Sequence, residues 1–200
     1  MDTYSQPLIM TIGIVLGNGK SRLAVDLELL RSQAKIFGCN ALYREFTPDV
    51  LVATDPEIAQ TIQESGYSLN NVFYTRKPIE GLGAKLIKRN YGYSSGPIAL
   101  TLAVDEGLDK IFMVGFDLDS IDGKFNNVYA GTDFYKQIGS DPTHWGNWER
   151  QVYDIVRHGY SQVVRVNDKN ISPKLWEGLI REVSMQAFLD AINNCKLEQL

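Results

Sequence analysis

The sequence contains little cysteine, little histidine and no long apolar run. Its two cysteines, Cys39 and Cys195, lie far apart and lack the spacing of metal ligands, which argues against a disulfide scaffold or a cysteine-based metal site. Disulfides are rare in reducing compartments. We therefore expect reduced thiols and a cytoplasmic location.

The sequence also has no excess of positive charge. The chain has 20 lysines and arginines against 24 aspartates and glutamates, a formal net charge of −4, which argues against a protein whose main task is to coat nucleic acid or an anionic membrane. No apolar run approaches the roughly 20 residues that a membrane span needs. Residues 1–7 are polar and lack the pattern of a secretory signal, so we expect no stable membrane insertion.

What the sequence does contain is a glycine turn after an apolar run, within residues 12–21. The run is rich in β-branched residues and breaks at Gly17-Asn18-Gly19, and a helix-compatible segment begins at Ser21. This order predicts a strand, a tight turn and a helix. Glycines let the backbone approach an anion, and the amide groups that open a helix bind one, so a phosphate is the expected ligand.

Two known phosphate-binding motifs do not fit this turn. Ile14 stands where the P-loop requires a glycine ahead of Gly19-Lys20-Ser21. Arg22 stands where the dinucleotide fingerprint has its third glycine or alanine. The sequence supports a general nucleotide-phosphate turn, with an ordinary connecting turn as the alternative.

Strand-like and helix-like segments alternate along the chain. The predicted strands are residues 12–16, 34–40, 50–54, 71–75, 110–117 and 162–166. The predicted helices follow Ser21, cover 56–64, 84–88, 97–106 and 148–159, and form two terminal helices in a C-terminal segment at about 173–200. The alternation predicts one Rossmann-like α/β domain over residues 1–200, with a mainly parallel sheet and helices on both faces.

Polar side chains follow several of the predicted strands. Asn40 ends the second strand, Asp55 precedes a helix that starts at Pro56, and Asp117 and Asp119 follow the strand at 110–117. Open α/β sheets bind ligands at the carboxyl ends of their strands, so these side chains are candidate ligand contacts. Helix capping and turn formation are the alternative roles of the aspartates.

A second candidate anion site lies at Ser94-Ser95-Gly96, just before Pro97. Proline favours the first turn of a helix, so hydroxyl and amide groups would converge at a helix N-terminus that suits a negative or polar ligand group.

A long loop is predicted at about residues 119–147. Loops of this length are usually functional or disordered, and this one contains the aromatic residues Tyr129 and Tyr135 and one of only two histidines, His144. We interpret it as an ordered lid or binding loop.

Together these landmarks resemble the bacterial sialyltransferases of glycosyltransferase family 42. Gly17-Asn18-Gly19-Lys20-Ser21 is similar to the family's Gly-Asn-Gly-Pro-Ser. The resemblance implies that the asparagine and the amide groups of this segment hold the donor nucleotide.

Three further segments and one histidine carry the same resemblance. Cys39-Asn40 is similar to the family's Cys-Asn segment, whose asparagine faces the nucleotide. The segments that resemble the family's Thr-Ser-Gly helix and Gly-Ile-Asp strand end, which close around ribose, base and transferred sugar, are Ser94-Ser95-Gly96 and Gly115-Phe116-Asp117. His144 matches the histidine that the family uses as a general base. More loosely, the chain resembles archaeal 6-hydroxymethylpterin pyrophosphokinases, which have the same Gly-Asn-Gly turn.

Several positions depart from the sialyltransferase pattern. Lys20 replaces a proline and is able to reach a phosphate oxygen, and Asp55 replaces an asparagine that contacts the donor. Gly92 replaces an arginine, although Arg89 is near. Asp119 replaces the tyrosine that steadies the departing phosphate, a role that the resemblance leaves to Tyr129 or Tyr135. These changes leave the identity of the sugar open.

The resemblance implies a metal-independent glycosyltransferase that moves a sugar from a CMP- or UDP-type nucleotide donor to an acceptor hydroxyl, with His144 as general base and no cofactor. The sequence does not identify the acceptor, which could be a glycan, a lipid or a modified base. It does not give the number of subunits either, and a homo-oligomer is one of the options. One alternative is a magnesium-dependent pyrophosphokinase, in which the metal neutralises the transferred phosphates. Another is a non-catalytic nucleotide-binding module.

Overall fold

A parallel eight-stranded sheet forms the centre of the protein. The computed structural model describes residues 10–168 and 172–200; the amino-terminal residues 1–7, for which we expect no secretory signal, lie outside them. The strands are β1 (Ile12–Leu16), β2 (Lys35–Cys39), β3 (Val50–Ala53), β4 (Phe73–Thr75), β5 (Lys85–Leu86), β6 (Lys110–Val114), β7 (Gln162–Val166) and β8 (Arg181–Val183). Their order is β5-β4-β3-β2-β1-β6-β7-β8, and each neighbouring pair is parallel.

The helices lie on both faces of this sheet, as the sequence predicts. They are α1 (Leu27–Leu30), α2 (Pro56–Glu64), α3 (Tyr67–Asn70), α4 (Ser95–Asp105), α5 (Gly146–Val156) and α6 (Met185–Asn193). Successive strand side chains point to opposite faces, so Ile14 of β1 packs in one core with α1, α2 and α6 while Val15 packs in another with α4 and α5. The protein is therefore an α/β protein of the Rossmann-like class.

The strand order reverses between β1 and β6. After β1 the chain adds β2 to β5 on one side, and then returns to place β6 to β8 on the other. The crevice outside the carboxyl ends of the strands at such a switch point is where open α/β sheets bind ligands. The fold therefore directs attention to the ends of β1 and β6.

The helix predicted directly after the glycine turn is not continuous. Residues Lys20–Ala24 form a 3₁₀ helix, and the separate helix α1 follows. Asp26 breaks the segment, because its backbone is extended. Its carboxylate accepts from the Glu28 N–H at 3.0 Å and thereby starts a new helix. Leu23 and Leu29 in this segment are exposed, whereas Leu30 is buried.

Two other predicted helices are strands at the sheet edges. The segment predicted as a helix at 84–88 forms β5, which pairs with β4. In the C-terminal segment, the first of the two predicted helices is replaced by the 3₁₀ helix Lys174–Trp176 and β8, and only α6 is helical as predicted. Ser184 ends β8 and caps α6 by accepting from the Ala187 N–H at 3.1 Å.

Two remaining boundaries bear on the candidate site. Pro56 opens α2 as predicted, but the Asp55 carboxylate makes no capping hydrogen bond. The long loop ends two residues earlier than predicted, because α5 begins at Gly146. Across the described residues, no helix combines the length and the apolar character that crossing a bilayer requires.

Candidate functional site

A cavity of about 340 Å³ opens at the switch point, at the carboxyl ends of the central strands. We call it the main cavity. Most of the sequence-predicted site residues line it: Gly17, Asn18, Gly19, Asn40, Asp55, Ser94, Ser95, Gly96, Asp117, Asp119 and Tyr135. Lys20, Ser21, Tyr129 and His144 are not among its lining residues.

The glycine turn, Gly17-Asn18-Gly19, crosses the end of β6 in close contact. The Gly17 N–H donates to the Val114 carbonyl at 2.8 Å, and the Gly19 N–H donates to the Gly115 carbonyl at 2.9 Å. A Cβ on Gly17 would collide with the Gly115 carbonyl oxygen. Only glycine therefore allows the two strand ends to meet in this way.

Asp117 joins the glycine turn to the long loop. Its carboxylate accepts from the Ser21 N–H at 3.2 Å, from the Ser21 hydroxyl and from the Asn126 side chain at 2.8 Å. A Cβ on Gly19 would overlap this carboxylate. Ser21, which the resemblance implies as a nucleotide contact, thus uses its hydroxyl to hold Asp117.

Asn40 presents an unsatisfied polar atom at the main cavity. Its side-chain Oδ1 is buried and has no hydrogen-bond partner in the described part of the chain. Its backbone is left-handed, with φ of 52°, as is that of two bulky lining residues, Leu118 and Phe134. Such strain concentrates at ligand sites, and an unpaired buried oxygen favours a ligand that donates a hydrogen bond to it.

Cys39 lies beside Asn40 but is not a reactive thiol. It is buried, its Sγ lies 3.5 Å from the Leu16 carbonyl oxygen, and burial raises its pKa to about 12. The thiol therefore stays protonated near neutral pH and packs as a small apolar group.

The N-terminus of α4 forms another wall of the main cavity. The Ser95 hydroxyl lies 2.9 Å from the Thr54 hydroxyl and accepts from the Thr54 N–H at 3.0 Å, and the Ser94 hydroxyl accepts from the Trp148 indole N–H at 2.9 Å. Both hydroxyls are therefore engaged in hydrogen bonds within the protein. The Ser95 and Gly96 N–H groups lack intrahelical partners because they open a helix, and they are the groups that suit an anion here.

The long loop packs on the glycine turn. The Val128 N–H donates to the Asn18 carbonyl at 2.8 Å, and the Asn126 Oδ1 accepts from the Lys20 N–H at 3.0 Å. The Tyr135 hydroxyl lies 3.5 Å from the Asn18 Nδ2 and accepts from the Ala41 N–H at 3.3 Å. These contacts make the loop an ordered wall of the main cavity. Asn126 and its neighbour Asn127 line the cavity and were missed by sequence reasoning.

Tyr129 belongs to a partly buried polar cluster and does not line the cavity. Its hydroxyl donates to Glu45 at 2.5 Å and accepts from Arg22 at 3.0 Å, while Arg22 also forms a 2.8 Å ion pair with Glu45 and lies 3.4 Å from the Gly17 carbonyl. Burial raises the pKa of Tyr129 well above its usual range. Arg22 stands where the dinucleotide fingerprint has its third glycine or alanine. In this structure its guanidinium lies against the Gly17 carbonyl and supports the glycine turn.

Arg165 supports the other side of the site and was also missed. It is buried in β7 and donates to the Phe116 carbonyl at 3.0 Å, to the Asp117 carbonyl at 2.7 Å and to Glu182 at 2.9 Å. The available signal was a lone arginine inside the apolar run of residues 163–166. A charge is rarely buried without a partner, so such an arginine indicates an internal ion pair.

Two predicted site residues have exposed side chains outside the main cavity. Lys20 is exposed. His144 is exposed between Thr143 and Trp145, which both line the main cavity, and its imidazole lies over Gly146. The other histidine, His158, is at the end of α5, where its Nδ1 lies 2.9 Å from the Asp154 carbonyl.

Arg89 is not positioned to replace the arginine that the resemblance expects at Gly92. It pairs with Asp105 at 2.8 Å and lines a separate groove with residues 107–109 and 159–161, which precede β6 and β7. That groove is at the amino-terminal edge of the sheet, opposite the main cavity. Gly92 itself is exposed.

The fold and the cavity define a Rossmann-like α/β protein with a crevice at its switch point. Its fold is similar to that of two solved sialyltransferases. The apo form of an α-2,3-sialyltransferase from Campylobacter jejuni has 15% identity and a TM-score of 0.50, over 81% of this chain and 77% of that one. The monofunctional α-2,3-sialyltransferase Cst-I from Campylobacter jejuni has 13% identity and a TM-score of 0.54, over 95% of each chain.

This likeness is one of fold. No protein-family model matches the sequence, and no curated protein matches it either. In the described ranges, no three histidine, cysteine, aspartate or glutamate side chains are grouped so as to hold a metal ion.

Proposed function

We propose that the protein is a glycosyltransferase that moves a sugar from a nucleotide donor of CMP or UDP type to an acceptor hydroxyl without a metal. The observation that carries this proposal is that the glycine turn, Asn40 and the N-terminus of α4 meet in one cavity. They do so at the switch point of a fold shared with two sialyltransferases. Nothing in the described residues favours the pyrophosphokinase alternative.

The donor phosphate would lie between the glycine turn and the first N–H groups of α4. Backbone N–H groups and the helix dipole stabilise charge that builds on a departing phosphate. The buried Oδ1 of Asn40 would accept a hydrogen bond from the nucleoside, and the Tyr135 hydroxyl, which lines the same wall, would contact the phosphate.

His144 would act as the general base. An acceptor reaches the donor from solvent, and an exposed imidazole between two lining residues is at the rim that the acceptor crosses. A histidine titrates near neutral pH and suits removal of a hydroxyl proton in the transition state. The imidazole has to turn away from Gly146 toward the cavity for this role.

The test measures nucleotide release from CMP- and UDP-sugars in buffer with EDTA. His144→Ala should lower the rate roughly 10²- to 10⁴-fold, as loss of a general base does, and leave nucleotide binding in place. His158→Ala is the matched control and should have the wild-type rate. Binding without turnover in the wild type would indicate a non-catalytic module. In a parallel assay with magnesium in place of EDTA, ATP consumption that does not need His144 would indicate the pyrophosphokinase.

A further inference from the structure

The main cavity continues into a second, smaller cavity that we call the side chamber. The side chamber has a volume of about 240 Å³ and shares Asn40, Asp55, Phe134 and Tyr135 with the main cavity. Pro56, Glu57 and Ile58 of α2 complete its lining. With a nucleotide against the glycine turn, the side chamber is a space beside it that the transferred sugar can occupy.

Both spaces are acidic. Asp55, Asp117 and Asp119 line the main cavity, and Asp55 and Glu57 line the side chamber. Over the residues that the structure describes, neither lining includes a lysine, arginine or histidine. Arg44 is close, with its guanidinium 5.8 Å from the centre of the Phe134 ring, but it is not a lining residue.

Asp55 is the acidic group best placed to act on a sugar. The Asp117 carboxylate is held by Ser21 and Asn126. The Asp55 carboxylate makes no capping hydrogen bond to α2, the helix that follows it. It also lies where the two cavities join.

We infer that the transferred sugar carries no carboxylate and that Asp55 excludes acidic sugars. This inference rests on the proposed function. A carboxylate accepts hydrogen bonds from sugar hydroxyls but repels another carboxylate, and the repulsion grows once the ligand displaces water. The aromatic rings of Phe134 and Tyr135 supply apolar surface for the carbon face of an uncharged sugar.

The experiment compares ligands with and without a sugar carboxylate. Isothermal titration of the full chain in low-salt EDTA buffer would measure binding of UDP-glucose, UDP-glucuronic acid, CMP and CMP-sialic acid. We expect UDP-glucose to bind roughly tenfold more tightly than UDP-glucuronic acid, and CMP-sialic acid to bind no better than CMP. Asp55→Asn should raise the affinity for the acidic donors, a gain that misfolding does not produce.

Glu64→Gln is the matched control, because it removes one charge from α2, the helix that follows Asp55, outside both cavities. It should leave the difference between the donors unchanged. Equal affinities in the wild type, or an unchanged difference in Asp55→Asn, would overturn this inference and leave the proposed function standing. Binding of UDP-glucuronic acid that is restored when magnesium replaces EDTA would overturn it too. If no nucleotide or nucleotide sugar binds, the proposed function fails as well.

Discussion

The carboxylate of Asp117 accepts hydrogen bonds from both the backbone N–H and the hydroxyl of Ser21. One side chain at the end of β6 thereby holds the turn that follows β1, and through Asn126 it also holds the long loop. The shape of the main cavity depends on this carboxylate.

Replacing Asp117 should therefore loosen the whole site. Hydrogen bonds to a charged group contribute about 1.5–3 kcal/mol, so we expect Asp117→Ala to lower the free energy of unfolding by about 2–3 kcal/mol. Urea denaturation measures this change. Asp133→Ala, an exposed aspartate in the same loop, should change stability by less than about 0.5 kcal/mol, and an equal loss in both variants would contradict the assignment.

The close crossing of Gly17 and Gly115 gives a steric prediction. Gly17→Ala should destabilise the protein by about 1–3 kcal/mol, because its Cβ meets a backbone carbonyl that cannot move aside. Gly96→Ala is the contrasting variant, since its Cβ would lie 3.4 Å from the Phe116 ring, an ordinary contact inside a helix. Thermal unfolding of the two variants separates these cases, and equal melting temperatures would refute the prediction.

Cys39 makes the stability sensitive to alkaline pH. Burial raises its pKa from 9.0 to about 12, so above pH 9 the unfolded chain loses this proton while the folded protein keeps it. Folding stability contributed by the thiol is complete below pH 9 and is lost as pH rises toward 12. Cys39→Ala should flatten the loss of stability over this range, whereas replacement of the exposed Cys195 should not. Denaturation midpoints at pH 8 and pH 10.5 test the difference.

Much of the fold could be predicted because the central strands follow simple rules. Residues 12–16, 50–53 and 111–114 are apolar runs with glycine, proline or aspartate nearby, which is how buried parallel strands appear in a sequence. The edge strands β5 and β8 have two and three residues and no apolar pattern. Their strand form depends on pairing with β4 and β7, which local sequence does not record.

The site residues also divide into those that local sequence predicts and those that it does not. Strand ends and glycines identified Asn18, Asn40 and the α4 N-terminus, because these positions follow from local signals. The cluster of Arg22 and Tyr129 depends on residues 107 positions apart, and arginine is usually exposed. Nothing in the sequence near either residue therefore indicates the pairing.

Arg165 offers a test of that missed support. Its guanidinium holds two carbonyl oxygens and Glu182 at once, a geometry that a lysine ammonium cannot reproduce. We expect Arg165→Lys to destabilise the protein by about 2–4 kcal/mol, because buried acceptors are left unpaired. The conservative change Arg181→Lys, at an exposed position of β8, should have little effect. Urea denaturation of both variants is the measurement, and a small loss for Arg165→Lys would contradict the proposed support.

Replacing Asn40 should lower nucleotide affinity without lowering the free energy of unfolding. Asn40→Gly removes a buried oxygen that lacks a partner and relieves a left-handed backbone, so the free energy of unfolding should stay level or rise by up to about 1 kcal/mol. Nucleotide affinity should fall roughly tenfold, the value of one lost hydrogen bond. Cys195→Gly is the matched control, because Cys195 has φ of 51° and lies outside both cavities; it should relieve the same strain without changing binding. A stability loss in Asn40→Gly at unchanged affinity would show that the asparagine serves folding and not ligand binding.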